Sequence, residues 1–102
     1  MTNLPNVEQE FENTGLRWGG VLMLYPLDAI RMIQRCRDLG VRILGIDAFR
    51  VRPDGIQPVS EHSIDFTSSY APSIARDEIW TAAREFVDRR LDLGLMFEVV
   101  IE

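Results

Sequence analysis

Between Pro26 and Gly40 the sequence spells out a helix that cannot stand alone. Proline suits a first helical turn, where its missing N–H would go unpaired anyway. Asp28 stands where the helix dipole favours a negative charge, and Arg35 and Arg37 where it favours a positive one. Ala29, Ile30, Ile33, Cys36 and Leu39 recur at three- and four-residue spacing and share one face. Gly40 then supplies the left-handed residue that ends the helix. A single apolar stripe needs a second layer to cover. The residues that follow offer one: Val41 to Val51 carries Ile43, Leu44, Ile46, Phe49 and Val51, too apolar for an exposed strand. Gly45 inside it marks a bulge or a close approach of backbone.

The second half supplies the rest of that layer. Arg52-Pro53-Asp54-Gly55 is a turn, and a hairpin strand follows from Ile56 to Val59, with Pro58 assigning it to an edge. Ser63 to Thr67 alternates as a third strand with Ile64 and Phe66 inward. A second helix is expected over 73–93. Ile79, Ala82, Ala83, Phe86 and Val87 form its apolar stripe, Arg76, Glu85, Asp88 and Arg89 its wet face, and Gly94 its stop. Leu95 to Ile101 reads as a buried strand interrupted by Glu98. Consecutive strands joined by tight turns pair antiparallel. The expected fold is therefore α+β: a two-layer sandwich of a mainly antiparallel four-stranded sheet with both helices on one face, the other face partly open. Residues 1–20 read as a polar N-terminal arm and 21–102 as the core of a single domain. At 102 residues the chain can build a core without metal or disulfide staples.

Charge narrows the function classes. Eleven basic residues, all arginine, stand against sixteen acids, a net of −5. A general affinity for nucleic acid or anionic lipid needs a cationic footprint, so neither is expected. Residues 1–51 hold six acids and six bases, whereas 52–102 hold ten acids and five bases, so a cationic partner is expected to dock on the second half. The run from Val21 to Leu27 is far shorter than the ~20 residues of a membrane span. The early charges Glu8, Glu10 and Glu12 have the wrong sign for a targeting peptide. The expected location is the cytoplasm.

Catalytic chemistry finds little support. One histidine, His62, and one cysteine, Cys36, are too few for a zinc site. Cys36 lies on an apolar helix face, where a free thiol behaves as a small core hydrophobe. Glu61, His62, Ser63 and Asp65 cluster near a turn, but neighbours along a strand point to opposite faces, so they read as a solvated hairpin end. Gly19-Gly20 lacks the preceding strand and the lysine of a phosphate loop. Asp77-Glu78 are explained by a helix start and Asp88 with Asp92 by a solvated helix face. No enzyme, cofactor or metal is expected. What remains is a set of rings among carboxylates: Asp47, Phe49, Asp54, Glu61, Asp65, Tyr70 and Trp80, with Phe66 and Asp77 nearby. Carboxylates and flat rings imitate phosphates and bases, which suits such a surface to fill a nucleic-acid-binding groove. Taken singly, Phe49, Phe66 and Trp80 read as core. Asp47, inside an apolar strand, must find partners or reach the rim.

These residues also carry a family likeness. Leu24, Pro26, Ala29 and Ile30, then Gly40 and the block Ile43-Leu44-Gly45-Ile46-Asp47, resemble the start of the immunity proteins of tRNA-cleaving E-group colicins. The likeness continues through the turn closed by Gly55, the segment bearing Ser60 and Ser63, the long helix, Gly94 and a strand led by Phe97. About twenty N-terminal residues, Trp18 among them, have no counterpart. Where the family has glycines and a histidine after the aspartate, this chain has Ala48-Phe49-Arg50. The resemblance implies a bacterial cytoplasmic antidote that binds the basic ribonuclease domain of a toxin and blocks its RNA site. It assigns the interface to the strand end at Asp47 and the following hairpin. The residues alone also admit a scaffold or regulatory domain that binds a protein through the open sheet face.

Overall fold

The computed structural model describes residues 6–67 and 76–102. In chain order these form α1 (Val7–Glu10), β1 (Leu16–Trp18), β2 (Val21–Met23), α2 (Pro26–Leu39), β3 (Ile43–Arg52), β4 (Gly55–Pro58), a 3-10 turn (Ser60–His62), β5 (Ile64–Asp65), α3 (Arg76–Asp88) and β6 (Met96–Ile101). The α+β two-layer arrangement is as expected: every strand pairing is antiparallel, and α2 and α3 contribute to one core with one face of the sheet. Helix α2 spans the expected residues. Proline opens it, and Gly40, at φ 70°, closes it with its own N–H on the Arg37 carbonyl and the Val41 N–H on that of Cys36.

The long strand β3 organises the sheet. On one edge it pairs with β6 from Ile43 to Phe49, with a bulge between Ile43 and Gly45. On its other edge it carries both β4, opposite Phe49 to Arg52, and β5, opposite Gly45 and Ile46. The two expected hairpin strands are thus collinear halves of one edge, interrupted by the 3-10 turn. Ser63 holds that interruption in place: its Oγ accepts from the Ala48 N–H and donates to the Val59 carbonyl, both at 2.9 Å. On the outer side of β6, Leu24 and Phe97 exchange two backbone hydrogen bonds of 2.7 and 2.8 Å, which joins the β1–β2 hairpin to the sheet.

The segment read as an arm is built into the domain. Val7 is fully buried in the main core and Phe11 packs against it. Glu10 meets Arg35 of α2 at 2.9 Å, and Arg17 holds both Glu8 and Glu12. Exposed ion pairs of this kind contribute little each, so the apolar contacts do the anchoring. Val7 and Phe11, four apart in an acidic stretch, were the visible signal. The second helix also ends earlier than expected. After Asp88 the chain turns, the Arg90 N–H bonding three residues back to Val87, while the guanidinium of Arg90 lies 3.7 Å from the Phe86 ring centre and donates to the Phe86 carbonyl. Residues 73–75 of the expected helix lie outside the described residues.

The main core joins Met32, Ile33 and Cys36 of α2, Ile79, Ala83 and Val87 of α3, and Ile46, Ala48, Phe97 and Val99 of the sheet. Cys36 is fully enclosed, and burial, with the charge of Glu10 second, pushes its thiol up to about 11. It stays neutral and packs as a hydrophobe. Gly45 is a close approach as well as a bulge: a Cβ built there would stand 2.7 Å from the Ile64 carbonyl oxygen. Gly45→Ala should therefore push β5 away from β3 and lower stability by about 1–3 kcal/mol, read as an earlier midpoint in urea.

Candidate functional site

The sheet face turned away from α2 and α3 carries two kinds of surface. Strand alternation places Gly45, Asp47, Phe49 and Val51 of β3 on it, and Met96, Glu98 and Val100 of β6 beside them. At its centre Phe49 lies opposite Met96, and both pack with Met23 of β2 in a second, smaller core flanked by Val21 and Ile56. Next to this cluster the face turns acidic. Asp47 is directly opposite Glu98 across the β3–β6 ladder. Asp65 stands on β5, opposite Gly45, close enough for its charge to act on Asp47.

Like charges facing each other across a ladder repel. Partial burial raises the Asp47 carboxyl above the usual carboxylate range, and the charge of Asp65 raises it further. Glu98 is raised for the same first reason, then by Asp47 and by Glu8, with Arg17 opposing. Asp65 goes the other way: hydrogen bonds from the Thr67 hydroxyl and N–H hold it below its ordinary value. Asp47 and Glu98 therefore lower stability when ionised. That penalty is absent below the ordinary carboxylate range, grows as pH rises through the raised values, and is complete above them. Asp65 contributes in the opposite sense, its share lost as pH falls. Glu98→Gln should stabilise the isolated protein by roughly 0.5 kcal/mol at neutral pH, with the gain disappearing in melts run in strong acid.

The seven sequence-predicted site residues divide. Asp47, Phe49 and Asp65 come together, Phe49 as the buried floor and the two aspartates as exposed neighbours. Asp54, in the β3–β4 turn, and Glu61, in the 3-10 turn, are exposed at other points of the same sheet edge. Trp80 is not on this face. It is buried in the main core among the helices, and its Nε1 donates to the Val41 carbonyl at 3.0 Å. An indole on the apolar stripe of a helix packs inward, whatever acids surround it in sequence. Tyr70 lies outside the described residues. Glu98 was missed as a site residue, although a lone carboxylate inside the apolar run 95–101 was the sign of it.

The polar cluster near the turn is occupied structurally. Ser63 bridges two backbone groups, and His62 Nδ1 accepts from Arg90 Nε at 3.3 Å. Among the described residues no group of three or more His, Cys, Asp or Glu side chains is placed to hold a metal ion, and no helix is long and apolar enough to cross a membrane. Compared with known proteins, the sequence matches no family model and no curated protein.

Proposed function

We propose that this chain is a non-catalytic immunity protein that neutralises a bacterial toxin nuclease, a colicin-type tRNase, by laying its acidic sheet face in the RNA-binding site. One observation carries the reading. Asp47 and Glu98 stand opposite each other on the helix-free face, an arrangement that costs the free protein stability and that a cationic partner relieves. A nuclease that binds RNA offers such cations in its substrate groove. Asp65 extends the negative strip to a third strand, and Phe49 gives it a rigid apolar base. The net charge of −5 draws a basic domain in before contact, and steering of this kind lifts association to about 10⁸ M⁻¹s⁻¹ or more at low salt. The partner is the toxin's nuclease domain, not RNA, and the place of action is the bacterial cytoplasm.

The test is direct. The product of the reading frame immediately upstream, which the proposal requires to carry a basic ribonuclease domain, is assayed on tRNA with and without equimolar purified protein, across a series of salt concentrations. Full inhibition, with an association rate that falls steeply as salt rises, is the expected result. Undiminished cleavage at equimolar dose overturns the proposal. Binding whose rate ignores salt would instead favour a protein-interaction domain that docks through apolar surface.

A further inference from the structure

The helix-free sheet face continues past β6 onto the β1–β2 hairpin. Met23 of β2 packs there with Phe49 and Met96, and Val21 flanks them. Across the hairpin, Leu16 stands directly opposite Met23 and Trp18 directly opposite Val21. Side chains directly opposed in a ladder lie on the same side, so Leu16 and Trp18 join this face. Neither packs into either core, and Trp18 is 57% exposed and Leu16 41%. Phe49 is buried, which leaves Trp18 as the aromatic ring of the face that a partner can reach.

The charges of the face say what covers it. Among the described residues the strands carry three arginines, Arg17, Arg50 and Arg52, and alternation turns all three to the other side. Arg17, opposite Leu22 of the main core, is also tied to Glu8 and Glu12. The charged strand residues left on the face are Asp47, Asp65 and Glu98, all acids. A second copy of the chain would set acid against acid, and nucleic acid or an anionic membrane would be repelled. A basic protein is the occupant that fits. Trp18 lies two strands from Glu98, roughly 10 Å at the usual strand spacing. A standard interface covers about 800 Å² of each partner, so one that spans the acidic strip covers the indole too.

We infer that Trp18, with Leu16 beside it, is the apolar anchor that holds the basic domain once the acidic strip has drawn it in. The inference rests on the reading of this face as a toxin-nuclease site. It adds the chemistry of the partner surface, cations bordering an apolar hollow that takes an indole, and the residue that sets the lifetime of the complex. Charge governs how fast such partners meet, whereas a desolvated aromatic anchor governs how slowly they part.

Binding kinetics against the nuclease domain of the upstream product, at several salt concentrations, test it, with circular dichroism as the check on folding. Trp18→Ala should raise the dissociation rate roughly thirtyfold or more. Its association rate, and the fall of that rate with salt, should match the wild type, because an indole carries no charge. Leu16→Ser should raise the dissociation rate by a smaller factor. If the wild type inhibits and Trp18→Ala dissociates as slowly, the anchor is overturned while the toxin-nuclease reading stands. If the wild type neither binds nor inhibits, both fall. A wild-type chain that dimerises through Trp18 in sedimentation equilibrium also overturns the anchor, since its occupant would then be a second copy.

Discussion

Phe97→Ala is expected to remove about 3–5 kcal/mol of stability, a large part of the ~5–15 kcal/mol that holds a domain of this kind together. Phe97 is the largest fully buried side chain among the described residues. It lies in the core that α2, α3, β3 and β6 share, while its backbone exchanges two hydrogen bonds with Leu24. Truncation leaves a cavity bounded on several sides by rigid elements, which relax poorly into it. The urea midpoint should fall while the slope of the transition is kept, since the surface exposed on unfolding barely changes. Trp18→Ala is the control. At 57% exposure that aromatic side chain should matter by no more than about 0.5 kcal/mol.

Asp47→Arg should separate folding from binding. In the free protein it replaces a like-charge pair with an attractive one across from Glu98, so the melting temperature holds or rises. In the complex proposed above it puts an arginine against the cations of the nuclease. Affinity should then drop by roughly 2–5 kcal/mol, measured by titration calorimetry against the nuclease domain. Unchanged affinity in a well-folded variant would assign the contact to another face. Glu98→Arg should behave alike, because the two carboxylates share one patch.

Much of the architecture was legible along the chain. Helix α2 is bounded by Pro26 and Gly40 and striped at helical spacing, and such signals act within a few residues of where they are written. Gly45 was legible as a constraint for the same reason, although only the packed sheet identifies the Ile64 carbonyl as the group it makes room for. The early end of α3 was not legible. The apolar period continues beyond Asp88, and the fold-back of Arg90 onto Phe86 competes with the next helical turn. The collinear arrangement of β4 and β5 was equally hidden, because a turn signal marks where a chain changes course and not which strand edge it returns to.

The candidate site shows the division most sharply. Asp47 belongs to the half of the chain with no net charge and Glu98 to the acidic half, so charge counted along the sequence assigns them to different regions. The sequence alone determined two helices, an apolar central strand and an antiparallel α+β sandwich, since periodicity, caps and turn residues are local. Tertiary structure alone decided that Asp47 meets Glu98. Their pairing depends on the bulge between Ile43 and Gly45, which shifts the β3–β6 register by one residue. Without that shift Asp47 would lie opposite Phe97, whose side chain belongs to the core on the helix side, because a slip of one residue in a ladder turns every side chain to the opposite face.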